Sequence, residues 1–234
     1  MKLKIVVMAL KTDRMVKEDT SKLRGYIGNK FYEHVLLHHH TEKGNLYTYP
    51  RVQYKIIEGT PIIVGIEEGA KILKKISDEI NELKLGRSKY EIKSIQMNFI
   101  NTHFGKSRRN IRYRFLIPWL ALSQKNYAKY KSIKDWKEKK ELLNNILAGN
   151  IISICKSFGY TVKGKIYAHS LLYEKIVNYK AIPHNAFIGE FKINFYLPDF
   201  IGIGKGVSHG FGTVKKIEND RKQIVMGEER KLEM

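Results

Sequence analysis

The sequence predicts an α+β fold made of two ferredoxin-like (RRM-like) βαββαβ halves in tandem. Three observations lead there: short β-rich runs alternate with helix-period stretches, the first hundred residues order themselves as βαββαβ, and a comparable order recurs afterwards. The boundary falls near 100–108, and we place it between an N-terminal half, 1–103, and a C-terminal half, 104–234. There is no sequence repeat, so the second half is expected to be a distorted copy of the plan.

"KLKIVVMALK" (2–11) reads as the first strand. In 19–37, Leu23, Ile27, Phe31 and Val35 recur every four residues, which predicts an amphipathic helix with Asp19, Thr20 or Ser21 at its cap. Gly25 and Gly28 weaken that helix or allow close backbone approach. Next, "NLYTYPRVQYKIIEG" and "TPIIVGIEE" read as two strands about a turn at Glu58–Gly59. Ile72, Leu73, Ile76, Ile80 and Leu83 predict a helix over 67–83, and 89–100 closes the half as a strand. In the second half, 111–123 is strand-like at its start. A helix over 126–159 is expected to break near Gly149, and strands are expected within 164–180 and 185–200. "TVKKIE" follows a glycine loop as the last strand.

Composition narrows the function. The chain has 43 Lys+Arg against 23 Asp+Glu, a net charge of +20 and a pI near 9.8. Such a surface attracts polyanions, nucleic acid before anionic membrane. Its one cysteine, Cys155, excludes a disulfide framework and a thiolate metal cluster, and suits a reducing cytoplasm. The N-terminal apolar run lacks a cleavage site and reads as a strand, and no apolar stretch reaches membrane-spanning length. We therefore expect a cytoplasmic protein without a membrane partner.

Three segments could carry chemistry. "VLLHHHTEKGNLYTYP" (35–50) ends the first helix with His38, His39 and His40. Extended, it would send His38 and His40 to one face and His39 to the other, and place Tyr47 and Tyr49 together on the next strand. His34 falls within the apolar stripe and reads as half-buried structure. Two alternate histidines can chelate a metal, but HExxH spacing and sulfur ligands are absent and only Glu42 follows, so no metal and no cofactor is expected. "IGIGKGVSHGFG" holds Gly202, Gly204, Gly206, Gly210 and Gly212. Its uncovered amides could form a phosphate-binding nest beside Lys205, Lys215 and Lys216, with His209 touching the ligand. It lacks P-loop spacing. "GKSRRNIRYR" (105–114) places Arg108, Arg109, Arg112 and Arg114 in an acid-free run. Arg112 and Arg114 share a strand face and alternate with Tyr113 and Phe115, as expected of phosphate forks and stacking surfaces for RNA. The lysines of 125–137 read either as a solvated helix face or as further RNA contacts.

The motif "GIGKGVSHGFGTVKKI", together with a histidine at the end of the first helix, resembles the CRISPR-associated RAMP proteins over nearly the whole chain. Within them it is similar to the Cas-six-type endoribonuclease that matures CRISPR RNA, and "KFYEHVLLHHHTEKGNLYTYP" looks like the archaeal subtype I-B branch. The resemblance implies metal-independent cleavage of CRISPR precursor RNA within its repeats. A 2′-hydroxyl attacks the adjacent phosphate, leaving a 2′,3′-cyclic phosphate, a 5′-hydroxyl and units with a repeat-derived 5′ tag. Histidine, with a pKa near 6.5, suits both the base and the acid of that reaction. Carried over, the catalytic set lands on His38 or His40, with Lys30 and Tyr47 as helpers and Tyr26 and Tyr32 as rivals. The implied partner is single-stranded or weakly structured repeat RNA. A homodimer and CRISPR effector subunits are further expected partners. A non-catalytic RAMP-type RNA-binding subunit of an effector complex is the alternative.

Overall fold

The computed structural model describes residues 1–38, 40–41, 44–45 and 48–218, with the side chains of 40–41 and 44–45 outside the description. The first half contains β1 (Lys2–Thr12), α1 (Thr20–Lys30), α2 (Val35–His38), the two-residue pair β2 (His40–Thr41) and β3 (Gly44–Asn45), then β4 (Val52–Ile57), β5 (Thr60–Ile66), α3 (Glu68–Ile76), β6 (Glu82–Leu85) and β7 (Ser88–His103). Its antiparallel sheet runs β4-β5-β1-β7-β6. The four long strands thus stand in the order fourth-first-third-second, the ferredoxin-like arrangement, with β6 added at one edge.

The second half contains β8 (Gly105–Phe115), α4 (Gln124–Ser132), α5 (Trp136–Ser157), β9 (Ala168–Tyr179), β10 (Ile182–Tyr196) and β11 (Val214–Lys216). Its sheet, β11-β8-β10-β9, repeats the fourth-first-third-second order. The expected second copy is therefore present with one change: the glycine loop stands where the second helix of the plan would lie. A single 3₁₀ turn, Val207–His209, is the only helical piece described there.

β1 is buried on both faces, which explains its run of apolar residues. Val6, Met8 and Leu10 pack with Leu23 and Ile27 of α1 and Leu73 and Ile76 of α3. Leu3, Ile5 and Val7 point the other way, into a core shared with Phe191, Ile193 and Phe195 of β10 and Leu147 and Ile151 of α5. Phe104, between the two sheets, is fully buried and meets the rings of Phe195 at 4.9 Å and Phe158 at 5.4 Å. Among the described residues no helix is long and apolar enough to cross a membrane.

Three element boundaries differ from expectation. The first helix stops at Lys30, where Phe31 leaves helical geometry (φ −123°, ψ 51°), and resumes as α2. Gly28 permits this fold-back, because a Cβ there would stand 3.2 Å from the Cβ of His38; a Cβ at Gly25 would meet nothing within 4 Å. The second helix ends at Ile76, and Leu83 belongs to β6, where Leu83 and Leu85 alternate inward. Ile80 and Leu83 satisfy a helical stripe on paper, yet they are buried from a turn and a strand. The long helix breaks at 133–135, where the Asp135 carboxylate accepts from the Lys137 amide and caps α5, and it runs unbroken through Gly149. The expected turn at Glu58–Gly59 is present, both residues having positive φ (50° and 74°) as a tight hairpin requires.

Candidate functional site

The histidine turn is pinned from three sides. His38 ends α2, so the period-two alternation expected over 38–40 does not begin there. Its Nε2 lies 2.8 Å from the Tyr32 carbonyl, and its own carbonyl accepts from Nη2 of Arg24. The buried Tyr54 hydroxyl donates to the Leu37 carbonyl at 3.0 Å. Because a carbonyl can only accept, the His38 proton in this contact sits on Nε2, which makes Nδ1 the basic nitrogen of the neutral ring. His40 pairs through its backbone with Asn45 in β2 and β3. Its side chain, His39 and Tyr47 lie outside the described residues. Lys30 donates to the Glu79 carbonyl on the turn after α3, and its ammonium sits 5.5 Å from the Phe31 ring centre. Tyr32 is exposed, Tyr26 is half-buried, and His34 is half-buried as expected.

The glycine loop is docked onto the first half. The Gly202 amide donates to Oε1 of Gln53 at 2.9 Å, and its carbonyl accepts from the Tyr49 hydroxyl at 2.7 Å. The Gly212 amide donates to Pro118 and the Gly210 amide to Val207. Gly202, Gly210 and Gly212 are buried, whereas Gly204, Gly206 and His209 are half-buried and Lys205 is exposed. Solvent thus reaches the loop at 204–206 and 208–209, although the Lys205 amide donates to the Leu120 carbonyl at 3.2 Å, while Gly202 and Gly212 hold the loop to the rest of the chain.

Beneath the loop lies Lys55, which sequence reading passed over. It is fully buried, and its ammonium donates to Oε1 of Gln53 at 3.1 Å. Burial pushes its pKa down from 10.5 to about 7. The unfolded chain therefore holds more protons between these values, and folding is penalised most at and below pH 7, less as pH rises to 10.5. Lys55→Met is expected to raise stability by ~1–3 kcal/mol at pH 7 and by less near pH 10. Thermal melts at the two pH values check this, and a lower melting temperature for the variant at pH 7 would contradict it.

The two segments meet at Arg24. Its Nη1 lies 3.4 Å from Nε2 of His209, while Nη2 reaches the His38 carbonyl. The ring of Tyr179, at the end of β9, packs edge-on against His209 (5.6 Å between centres) and Phe211 (5.4 Å). Burial first, then the charges of Arg24 and Lys180, push the His209 pKa down to about 4, so the ring is neutral near pH 7 and serves as an acceptor. Arg24 had no local signature in the sequence, since its partner is 185 residues away.

The second half carries a basic outer face. Arg108, Arg109, Arg112 and Arg114 are exposed on β8, and Arg112 pairs with Glu190 at 2.8 Å. The register sets Arg112 opposite Lys192, and Arg114 opposite Glu190 and Lys215. An open groove at its foot is lined by Arg109, Arg112, Lys192, Tyr196 and Lys216, with Glu218 at its edge. Tyr113 and Phe115 do not offer the stacking surface expected of them: both are buried, and the Tyr113 hydroxyl accepts from the Leu197 amide at 2.9 Å. Tyr196, partly exposed, lines the groove instead. The lysines of 125–137 are exposed on α4, the start of α5 and the segment between them.

Comparison with known proteins agrees with this layout. Residues 1–103 match the Cas6b N-terminal domain and residues 105–217 the Cas6b C-terminal domain. An uncharacterized protein of Methanocaldococcus jannaschii, MJ0978, is 43% identical over 140 residues, which span 59% of this chain and 95% of that protein. A crystal structure of Cas6b superposes with a TM-score of 0.87 at 36% identity, covering 93% of this chain and all of that one. A second, described as the CRISPR RNA processing endoribonuclease Cas6b, gives a TM-score of 0.76 at 33% identity over 93% of this chain and all of that one. The chain belongs to the Cas6b family of Cas6-type CRISPR repeat-processing proteins.

Proposed function

We propose that this protein cleaves CRISPR precursor RNA within its repeats by metal-independent transesterification. The observation that carries the reading is the seating of the glycine loop of the second half against the histidine turn of the first, in a chain whose relative of 33% identity is described as a CRISPR RNA processing endoribonuclease. A base removes the proton of a 2′-hydroxyl, and O2′ attacks the adjacent phosphorus. The bond from phosphorus to O5′ breaks as an acid gives its proton to the leaving oxygen. His38 and His40 are the pair we assign to these transfers, each role being worth ~10²–10⁴-fold. Tyr47 and Lys30 are the proposed helpers, stabilising charge on the non-bridging oxygens. Arg108, Arg109, Arg112 and Arg114, with Lys205 and His209 of the loop, are the proposed RNA contacts.

The test is incubation of repeat RNA with the protein in excess EDTA, followed by end-group analysis. A 2′,3′-cyclic phosphate and a 5′-hydroxyl are expected. An absolute requirement for a divalent metal would refute the mechanism. Binding of repeat RNA without any cleavage would favour a non-catalytic subunit.

A further inference from the structure

Arg24 joins three elements that the sequence keeps apart. It projects from α1, donates to the carbonyl of His38 at the end of α2, and reaches His209 on the 3₁₀ turn of the glycine loop. Its Nε is buried and has no hydrogen-bond partner among the described residues, so the contacts just named carry its hold on the site. Both of those contacts use the two terminal nitrogens of one planar fork. A lysine offers a point charge on a flexible stem and cannot span two acceptors in that geometry.

The far side of the contact is equally constrained. Gly206 and Gly210, at the two ends of the 3₁₀ turn, have positive φ (67° and 91°), so the turn has a narrow choice of shape. The Arg24 fork donates to Nε2 of His209, which leaves the ring proton on Nδ1, 3.2 Å from the Ser208 hydroxyl. Tyr179 closes the other side of the ring. Neither turn can slide relative to the other without breaking an Arg24 contact.

We propose that Arg24 is a positioning residue of the cleavage site, whose single guanidinium sets the His38 turn of the first half against the His209 turn of the second so that both face one phosphodiester. The proposal rests on the endoribonuclease reading above. A displacement of about 1 Å at such a site costs on the order of 10²-fold in rate, with ground-state binding largely spared.

The experiment measures single-turnover cleavage of repeat RNA in EDTA, and affinity for the same RNA with a 2′-deoxy scissile nucleotide, at fixed salt. Arg24→Lys is expected to slow cleavage ~10–100-fold while affinity stays within about threefold. Arg24→Ala is expected to be slowed at least as much and partly rescued by added guanidinium, but not by ammonium at equal ionic strength. Wild-type rates in Arg24→Lys would overturn the proposal. So would an affinity loss that accounts for the whole drop, which would make Arg24 an RNA contact. Arg24→Lys keeps the charge and the stem, so it remains informative if the alanine variant fails to fold. Absence of cleavage by the wild-type protein would instead refute the endoribonuclease reading, and the two failures are separated by that control.

Discussion

Alanine at position 38 is expected to slow repeat cleavage by ~10²–10⁴-fold and to leave repeat-RNA affinity nearly unchanged. The argument is local. The imidazole ends α2, with Nε2 committed to the Tyr32 carbonyl and the backbone held by Arg24. Truncation leaves the backbone contacts to Arg24 and Tyr54 in place, so the fold and the basic outer face should persist. The loss is then expected in the chemical step and not in binding, since the proposed phosphate contacts are the exposed Arg and Lys and such contacts dominate affinity. His40→Ala is expected to behave alike if the two histidines divide the proton transfers. Single-turnover kinetics with filter binding at one salt concentration checks both. Full activity in the two variants would refute the acid–base assignment.

Much of the fold was legible because periodicity reports burial. The strand and helix order of the first half, the hairpin turn at Glu58–Gly59 and the shared face of Arg112 and Arg114 all follow from local pattern. Failures came where one pattern fits two structures. Ile80 and Leu83 continue the stripe of α3, yet the helix ends at Ile76 and the chain turns them inward by other means. Tyr113 alternates as a stacking surface would, yet it is buried, because alternation tells which residues share a face, not which face meets the core. The candidate site was legible in its segments and not in its assembly. His38 and the glycine loop stand out in the sequence, but the residue joining them is an ordinary arginine beside Leu23. Lys55 was invisible for the same reason, since nothing local marks a lysine that lies beneath a loop 149 residues from Gln53.

The glycine loop combines close packing with the phosphate contacts proposed above, and Gly212→Ala tests the first of these. Gly212 has φ +65°, and a Cβ there would stand 2.0 Å from the carbonyl oxygen of Ile203. That oxygen belongs to backbone already tied to position 212, because the Ile203 amide donates to the Gly212 carbonyl at 3.0 Å. The left-handed conformation alone costs alanine roughly 1–2 kcal/mol, and the overlap must be relieved by moving main chain. We expect a total loss of ~3–5 kcal/mol, read as a lower urea midpoint at unchanged slope. Gly149→Ala is the matched control: its Cβ would meet nothing within 4 Å inside α5, so the same change should gain ~0.5–1 kcal/mol there. Wild-type stability in Gly212→Ala would mean that the loop yields easily. If the loss is found, the glycine at 212 is required by close packing of the loop on itself, and the proposed phosphate contacts fall to the stretch 204–206, where Lys205 is exposed.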